Sequence, residues 1–186
     1  MMRRTVSFTL AMTIVGSLAG CASDISPLGE GEGSDMNMQQ AANRADEILD
    51  GVLGRIDPEV KWTHDTTSVG SCDVTRRRAV MTIVSAERRG NFLGVVDRFW
   101  RKSGYRMKSI NNDPDVPAIF AQTKDGFGVS LIVGGEGQVF FEVDTPCVEE
   151  SEVAESTTQA TAPTYDGQEY IPRPNIRSPF WSVGAP

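Results

Sequence analysis

The side chains that could support catalysis are few in this sequence of 186 residues. Hydrolysis by a serine or cysteine nucleophile usually needs a histidine base, and His64 is the single histidine. It lies beside Asp65 in an alternating segment that predicts a strand, where neighbouring side chains point to opposite faces. The two residues are therefore badly placed to cooperate, and we interpret His64 as an ordinary strand residue.

A run of oxygen-bearing side chains extends from Asn111 to Asp115 and resembles the start of a calcium-binding loop. The EF-hand pattern requires Gly at its sixth position and Glu at its twelfth, where this chain has Val116 and Gln122. A turn that uses Asn, Asp and Pro chemistry is the better interpretation. We expect no metal and no cofactor, although Asp113 and Asp115 are the carboxylates that an envelope hydrolase would use.

Basic residues are concentrated between positions 76 and 108, where ten of them accompany two acids. This segment favours one of two interpretations. In the first, the segment forms a face for an anionic partner, which would be lipid headgroups or a wall polymer. In the second, acidic segments of the same chain compensate its positive charge. We favour compensation, because interspersed charge usually forms a solvated face. The candidate face comprises Arg76, Arg77, Arg78, Arg88, Arg89, Arg98, Arg101 and Lys102, followed by Arg106 and Lys108.

The first twenty residues have the organisation of an export signal. A basic start with Arg3 and Arg4 precedes an apolar stretch over residues 5–18, which is too short to span a bilayer. Residues 1–20 are therefore predicted to be a signal peptide. The arginine pair leaves open whether export follows the general or the twin-arginine route.

The motif Leu18-Ala19-Gly20-Cys21 resembles the lipobox of bacterial lipoproteins. The resemblance implies that the Cys21 thiol receives a diacylglyceryl group and that the signal is cut before it. Two acyl chains would then hold the protein on the outer face of the cell membrane. A plain secretory signal with a chance cysteine is the alternative. The plan of the chain, with 14 Arg against 4 Lys, is similar to small uncharacterised actinobacterial lipoproteins, which brings no functional residues with it.

The other two cysteines, Cys72 and Cys147, form an even pair in an exported protein. Disulfides persist outside the cytosol, and a bridge here would close a loop of about 75 residues, worth roughly 4 kcal/mol in the chain-entropy model. We predict this disulfide, with two free thiols as the alternative. The formal charge of −7 becomes more acidic when the signal is removed, and this argues against nucleic acid as a partner.

The remaining pattern predicts one domain over residues 35–148, behind a flexible tether over residues 21–34. Apolar residues at helical spacing indicate helices over 36–56, capped by Ser34 or Asp35, and over 85–103, ended by Gly104. Alternation predicts strands over 60–66, 78–84, 105–110, 118–123, 127–133 and 139–143. The order α-β-β-α-β-β-β-β favours a two-layer α+β fold, with two helices on one face of an antiparallel sheet.

The C-terminal segment over residues 149–186 is predicted to be disordered, acidic at first and then rich in proline. It carries Phe180 and Trp181, which would either occupy a groove on a partner or fold back onto the domain. We expect a binding or interaction module and not an enzyme, because no catalytic constellation is evident. An envelope hydrolase and a structural adaptor that acts through the aromatic tail are the alternatives.

Overall fold

The structure is a computed structural model that describes residues 36–163 and 173–186. The predicted signal peptide, Cys21 and the tether lie outside the described residues. The elements follow one another as α1 Met38–Leu53, β1 Trp62–His64, β2 Ser68–Val69, β3 Val74–Val80, α2 Ala86–Lys102, β4 Arg106–Asn111, β5 Ala118–Gln122, β6 Gly128–Val133, a short 3₁₀ turn Gly135–Gly137, and β7 Val139–Asp144.

The strands form one seven-stranded antiparallel sheet with the order β1-β3-β7-β6-β5-β4, and β2 pairs with β3. Helix α1 lies over β3 and β7, and α2 lies over β4 and β5. The predicted α+β class and the order of its elements are confirmed, with the two-residue β2 as an addition.

The core lies between the helices and the sheet. Helix α2 buries Phe92, Val96 and Trp100, which recur every four residues and so share one face. They pack in one cluster with apolar residues of α1 and of the strands, such as Leu49 and Phe141. The other apolar residues of the predicted α2 stripe are partly exposed, which leaves apolar surface beside the core.

Helix α1 begins later than predicted. Its N-cap is Asn37 rather than Ser34 or Asp35, because Asn37 Oδ1 accepts from the Gln40 backbone nitrogen and Gln40 Oε1 accepts from that of Asn37. This reciprocal capping box satisfies two backbone donors at once. At the end of α2, Gly104 has a φ of +79°, which confirms the predicted left-handed position.

The second predicted strand is displaced, since β3 runs over Val74–Val80 instead of residues 78–84. Val74, Arg76, Arg78 and Val80 are the buried members of its alternating pattern. Two of these inward positions are arginines, so the alternation of apolar residues was hidden in the sequence. The disulfide between Cys72 and Cys147 is confirmed, and it joins the residues before β3 to those after β7.

The prediction of a disordered C-terminal segment is wrong for residues 149–163 and 173–186. The Met38 nitrogen donates to the Glu149 carbonyl at 2.9 Å, and the Ala162 nitrogen donates to the Trp62 carbonyl at 2.9 Å. Further along, Ile176 forms a parallel bridge with Thr82. These contacts use backbone groups, which every sequence carries, so a polar composition does not exclude them.

Candidate functional site

Two arginines of the predicted basic face lie in the interior instead. Arg76 Nε is 3.4 Å from Asp46 Oδ2, and its Nη2 donates to the Ala154 carbonyl at 2.6 Å. Arg78 Nη1 donates to Asp50 Oδ1 at 2.5 Å, and its guanidinium stacks on Trp62 at 4.1 Å. The assignment of both residues to an anion-binding face is therefore wrong, because their charges are matched by α1.

Arg77 projects from the opposite side of the same strand. Its Nε lies 2.8 Å from Asp65 Oδ2, its Nη1 lies 3.4 Å from Glu142 Oε1, and its guanidinium covers the Phe140 ring at 4.4 Å. Burial raises the pKa of Glu142 above its ordinary value, against the opposing effect of Arg77. Arg77 is therefore committed to a structural network.

The next two arginines hold the C-terminal segment and a loop. The Arg88 guanidinium stacks on the Phe180 ring at 4.3 Å, and Arg89 Nη1 donates to the Asp115 carbonyl at 3.3 Å. Trp181, 1% exposed, packs edge-on against Phe92 at 5.2 Å between ring centroids, and its Nε1 donates to the Pro58 carbonyl at 2.6 Å. The aromatic pair therefore folds back onto the domain, and its assignment as a partner-binding tail is wrong.

The exposed members of the predicted face collect where α2 ends and β4 begins, and Lys124 of the β5–β6 turn joins them. Arg106 Nη2 and Lys108 Nζ both donate to Gln122 Oε1, at 2.6 and 3.4 Å. Arg101 pairs with Asp97. We call the following six exposed residues the basic cluster: Arg98, Arg101, Lys102, Arg106, Lys108 and Lys124.

A groove lies beside this cluster, between α2 and the end of β4 with the loop that follows. Its cavity volume is about 470 Å³. Gly90 and Gly94 open the helix side, and Leu93 and Ile119 contribute apolar surface. Ile110, 48% exposed, adds to it from β4. We call this the α2–β4 groove, and its lining also includes Arg89, Asp97, Arg101, Asn111, Asn112, Asp113, Pro114 and Pro117.

The loop after β4 is held by its own polar side chains. Asp113 Oδ1 accepts from the backbone nitrogens of Asp115 and Val116 at 2.8 and 3.1 Å, and Asn111 Nδ2 donates to the Val116 carbonyl at 2.9 Å. The turn predicted from Asn, Asp and Pro is confirmed. One carboxylate of the hydrolase hypothesis thus serves the backbone of its own loop.

His64 lies on the opposite edge of the sheet. Its Nε2 contacts the Thr158 carbonyl at 2.7 Å, and its ring meets Trp62 edge-on. A second cavity of about 640 Å³ opens next to this strand, lined by Asp50, Asp57, Glu59, Trp62, Thr158 and six other residues. Over the described ranges 36–163 and 173–186, no group of three or more His, Cys, Asp or Glu residues is arranged to hold a metal ion.

Sequence reasoning missed the groove and one member of the cluster. Ala86, Gly90 and Gly94 recur every four residues on α2, which is a signal for an open helix face. Ile110 and Pro114 are apolar beside a polar turn, a second available signal. Lys124 lies well outside the basic segment in sequence, so the density of charge along the chain did not include it.

The α+β architecture and the groove do not by themselves place the chain in a family. No protein-family model matches it, and no curated protein sequence matches it. Among solved structures, it is similar to the crystal structure of a DUF4853 family protein from Actinomyces odontolyticus, with 12% identity and a TM-score of 0.37 over 77% of this chain and 80% of that chain. No helix in the described part of the chain is long and apolar enough to cross a bilayer.

Proposed function

We propose that this protein is a lipid-anchored binding module on the outer face of the cell membrane, and that its ligand occupies the α2–β4 groove. The groove is the observation that carries the binding role. At about 470 Å³ it falls in the size range of small-molecule sites. Its mixture of apolar surface and a few polar groups is also typical of such sites.

The proposed location rests on the lipobox motif that ends in Cys21, and the disulfide supports it. A disulfide between Cys72 and Cys147 suits an oxidising compartment, since cytosolic thiols are normally kept reduced. A domain held at a membrane by acyl chains would act on molecules of the envelope.

Binding is preferred to catalysis because two of the candidate catalytic groups, His64 and Asp113, already have structural partners. His64 contacts a backbone carbonyl, and Asp113 accepts from two backbone nitrogens of its own loop. Nucleophilic and acid–base catalysis each need a positioned group that faces the substrate. The adaptor alternative is disfavoured, because Trp181 belongs to the core of this domain.

The lining of the groove favours a ligand with an apolar body and a polar end. Leu93, Ile110 and Ile119 supply apolar contact, whereas the Arg89 and Arg101 side chains and the amide of Asn112 can hydrogen-bond to a polar group. The dye 1-anilinonaphthalene-8-sulfonate has this combination and serves as a probe.

The groove can be tested with two matched glycine variants. A Cβ added at Gly90 or at Gly51 meets no atom within 4 Å, so both helices should tolerate a larger side chain. Gly90→Leu fills the groove, whereas Gly51→Leu lies on α1 outside it. We expect Gly90→Leu to abolish the dye-induced shifts of α2 amide resonances and Gly51→Leu to preserve them. Equal binding by both variants would reject the groove as the site.

The anchor is tested separately, by fractionation of cells that express the chain with Cys21→Ala. We expect the protein to leave the membrane fraction, and an intact first methionine in the native protein would count against lipidation. Mass spectrometry of molecules that co-purify with the parent protein, but not with Gly90→Leu, would identify the natural ligand.

A further inference from the structure

We propose that the basic cluster is a docking surface for the anionic headgroups of a phospholipid bilayer, and that it holds the domain against the membrane to which Cys21 is anchored. This inference rests on the proposed lipid anchor. It goes beyond the anchor because it assigns the domain an orientation and a second, electrostatic contact with the bilayer.

The charge of the cluster is the first support. Its six cations are exposed. Of the carboxylates nearby, Asp97 pairs with Arg101, and Asp125, which follows Lys124 in the chain, pairs with Arg44. Exposed charges act over a Debye length of about 8 Å at physiological salt. The acidic total of the whole chain therefore does not cancel the attraction of this surface for a bilayer that it touches.

The position of the chain entry is the second support. The sheet register joins Arg106 to Gln122, Gln122 to Gly128, Gly128 to Asp144 and Asp144 to Thr75, in one row across five strands. The neighbour of Thr75, Val74, packs against Met38 at the start of α1. The domain therefore begins at the same end of the sheet as the basic cluster.

The length of chain before the domain makes the contact feasible. Met36 follows Cys21 by 15 residues. The start of α1 and the basic cluster are separated by four strand spacings, or roughly 19 Å. The sequence predicts a Gly- and Ser-rich tether over residues 21–34, and a linker of that composition and length has a root-mean-square span of about 20 Å. The anchor and the cluster can therefore reach one bilayer at the same time.

The far end of the domain carries acids beside two cations, Arg55 and Lys61. Asp50, Asp57 and Glu59 line the second cavity, beside Val60 and the start of β1. Trp62 pairs with Val80 there, at the end of β3 that is remote from Thr75. Lys61 Nζ lies 2.8 Å from Glu59 Oε1, and Asp50 pairs with the buried Arg78, so the far end has no excess of positive charge to compete for an anionic surface.

The experiment measures sedimentation with vesicles of phosphatidylcholine that contain 30% phosphatidylglycerol or none, a composition of about one anionic lipid in three. The protein is the chain from residue 21 with Cys21→Ser, so that no acyl chain contributes. We expect binding to the anionic vesicles alone, with an affinity that falls as salt is added. Equal binding to both vesicle types would overturn the inference.

Two double variants remove equal charge from opposite ends. Lys102→Gln/Lys124→Gln lies in the cluster, and Arg55→Gln/Lys61→Gln lies at the far end. At about fivefold per cation near the surface, the first pair should weaken vesicle binding roughly 25-fold, and the second should change it less than about fivefold. Thermal unfolding confirms that each variant is folded. Equal losses would mean that net charge alone governs binding, which refutes the assigned surface.

A last measurement tests binding to a soluble polyglycerol phosphate, because a wall polymer carries the same phosphate groups as a phospholipid headgroup. Binding to this polymer without binding to anionic vesicles would replace the membrane by a polymer as the partner and overturn the proposal. These measurements do not test the lipid anchor, which is tested separately by fractionation of cells that express the Cys21→Ala chain.

Discussion

Replacement of Asp46 by alanine should destabilise this protein more than any other single change on the polar side of α1. Asp46 is 7% exposed and lies between two buried guanidinium groups. Its Oδ2 is 3.4 Å from Arg76 Nε, and its Oδ1 is 3.4 Å from Arg78 Nη2. The variant removes the carboxylate and leaves both positive charges in the interior.

The expected loss of stability depends on which interaction partners each arginine keeps in the variant. Breaking a buried ion pair by removing one partner costs about 3–5 kcal/mol, because the remaining charge is uncompensated. Arg78 keeps Asp50, whose side chain is 44% exposed, and Arg76 keeps two neutral acceptors. These contacts place the expected loss near the lower limit, at about 3 kcal/mol. A loss of that size lowers the midpoint of thermal unfolding by roughly 6–12 °C in a domain of this length.

The matched control is Glu47→Ala at the next position of the same helix. Glu47 is 66% exposed and pairs with Arg44, so its loss should cost less than about 1 kcal/mol. Both variants introduce alanine into α1, and the gain in helix propensity is below about 1 kcal/mol in each. Urea unfolding with the disulfide intact gives both free energies. If the two variants differed by less than about 1 kcal/mol, the buried arginines would not depend on Asp46 and the reasoning would fail.

Three further outcomes are expected. Trp181→Ala should cost about 3–5 kcal/mol in urea unfolding, whereas Val183→Ala at an exposed neighbouring position should cost little, and similar values would show that the C-terminal segment is not part of the core. Cys72→Ala/Cys147→Ala should lose about 4 kcal/mol, and the reduced parent protein should be equally unstable if the bond is responsible. Burial raises the pKa of Glu142 above its ordinary value of 4.5, so its contribution is favourable below that value and is lost as the pH rises through the raised pKa. Glu142→Gln should therefore stabilise the protein at pH 7 but not at about pH 3, and a benefit that is independent of pH would contradict this assignment.

The elements that sequence reasoning predicted well are those whose apolar residues follow one period. The stripe of α2 and the alternation of β5, β6 and β7 lie within one or two residues of their observed positions. The position of β3 was wrongly predicted because two of its inward residues are arginines. The C-terminal segment was wrongly predicted to be disordered because backbone hydrogen bonds and the buried Trp181 side chain hold it. A local pattern records the solvent preference of side chains, and it cannot show that a charge will be buried beside a partner far along the chain.

The residues of the candidate site were hard to predict for the same reason, because the sequence does not show which charged side chains become buried. Along the sequence, the ten cations between residues 76 and 108 form one block, yet the fold divides them among several environments. Alternation in β3 turns Arg76 and Arg78 toward α1 and Arg77 away from it, and Arg88 is used to hold Phe180. The surface field is then set by the cations that remain exposed, together with Lys124 from a separate turn. Since the register places these cations at the end where the chain enters the domain, the charge that is available to a membrane is a property of the topology.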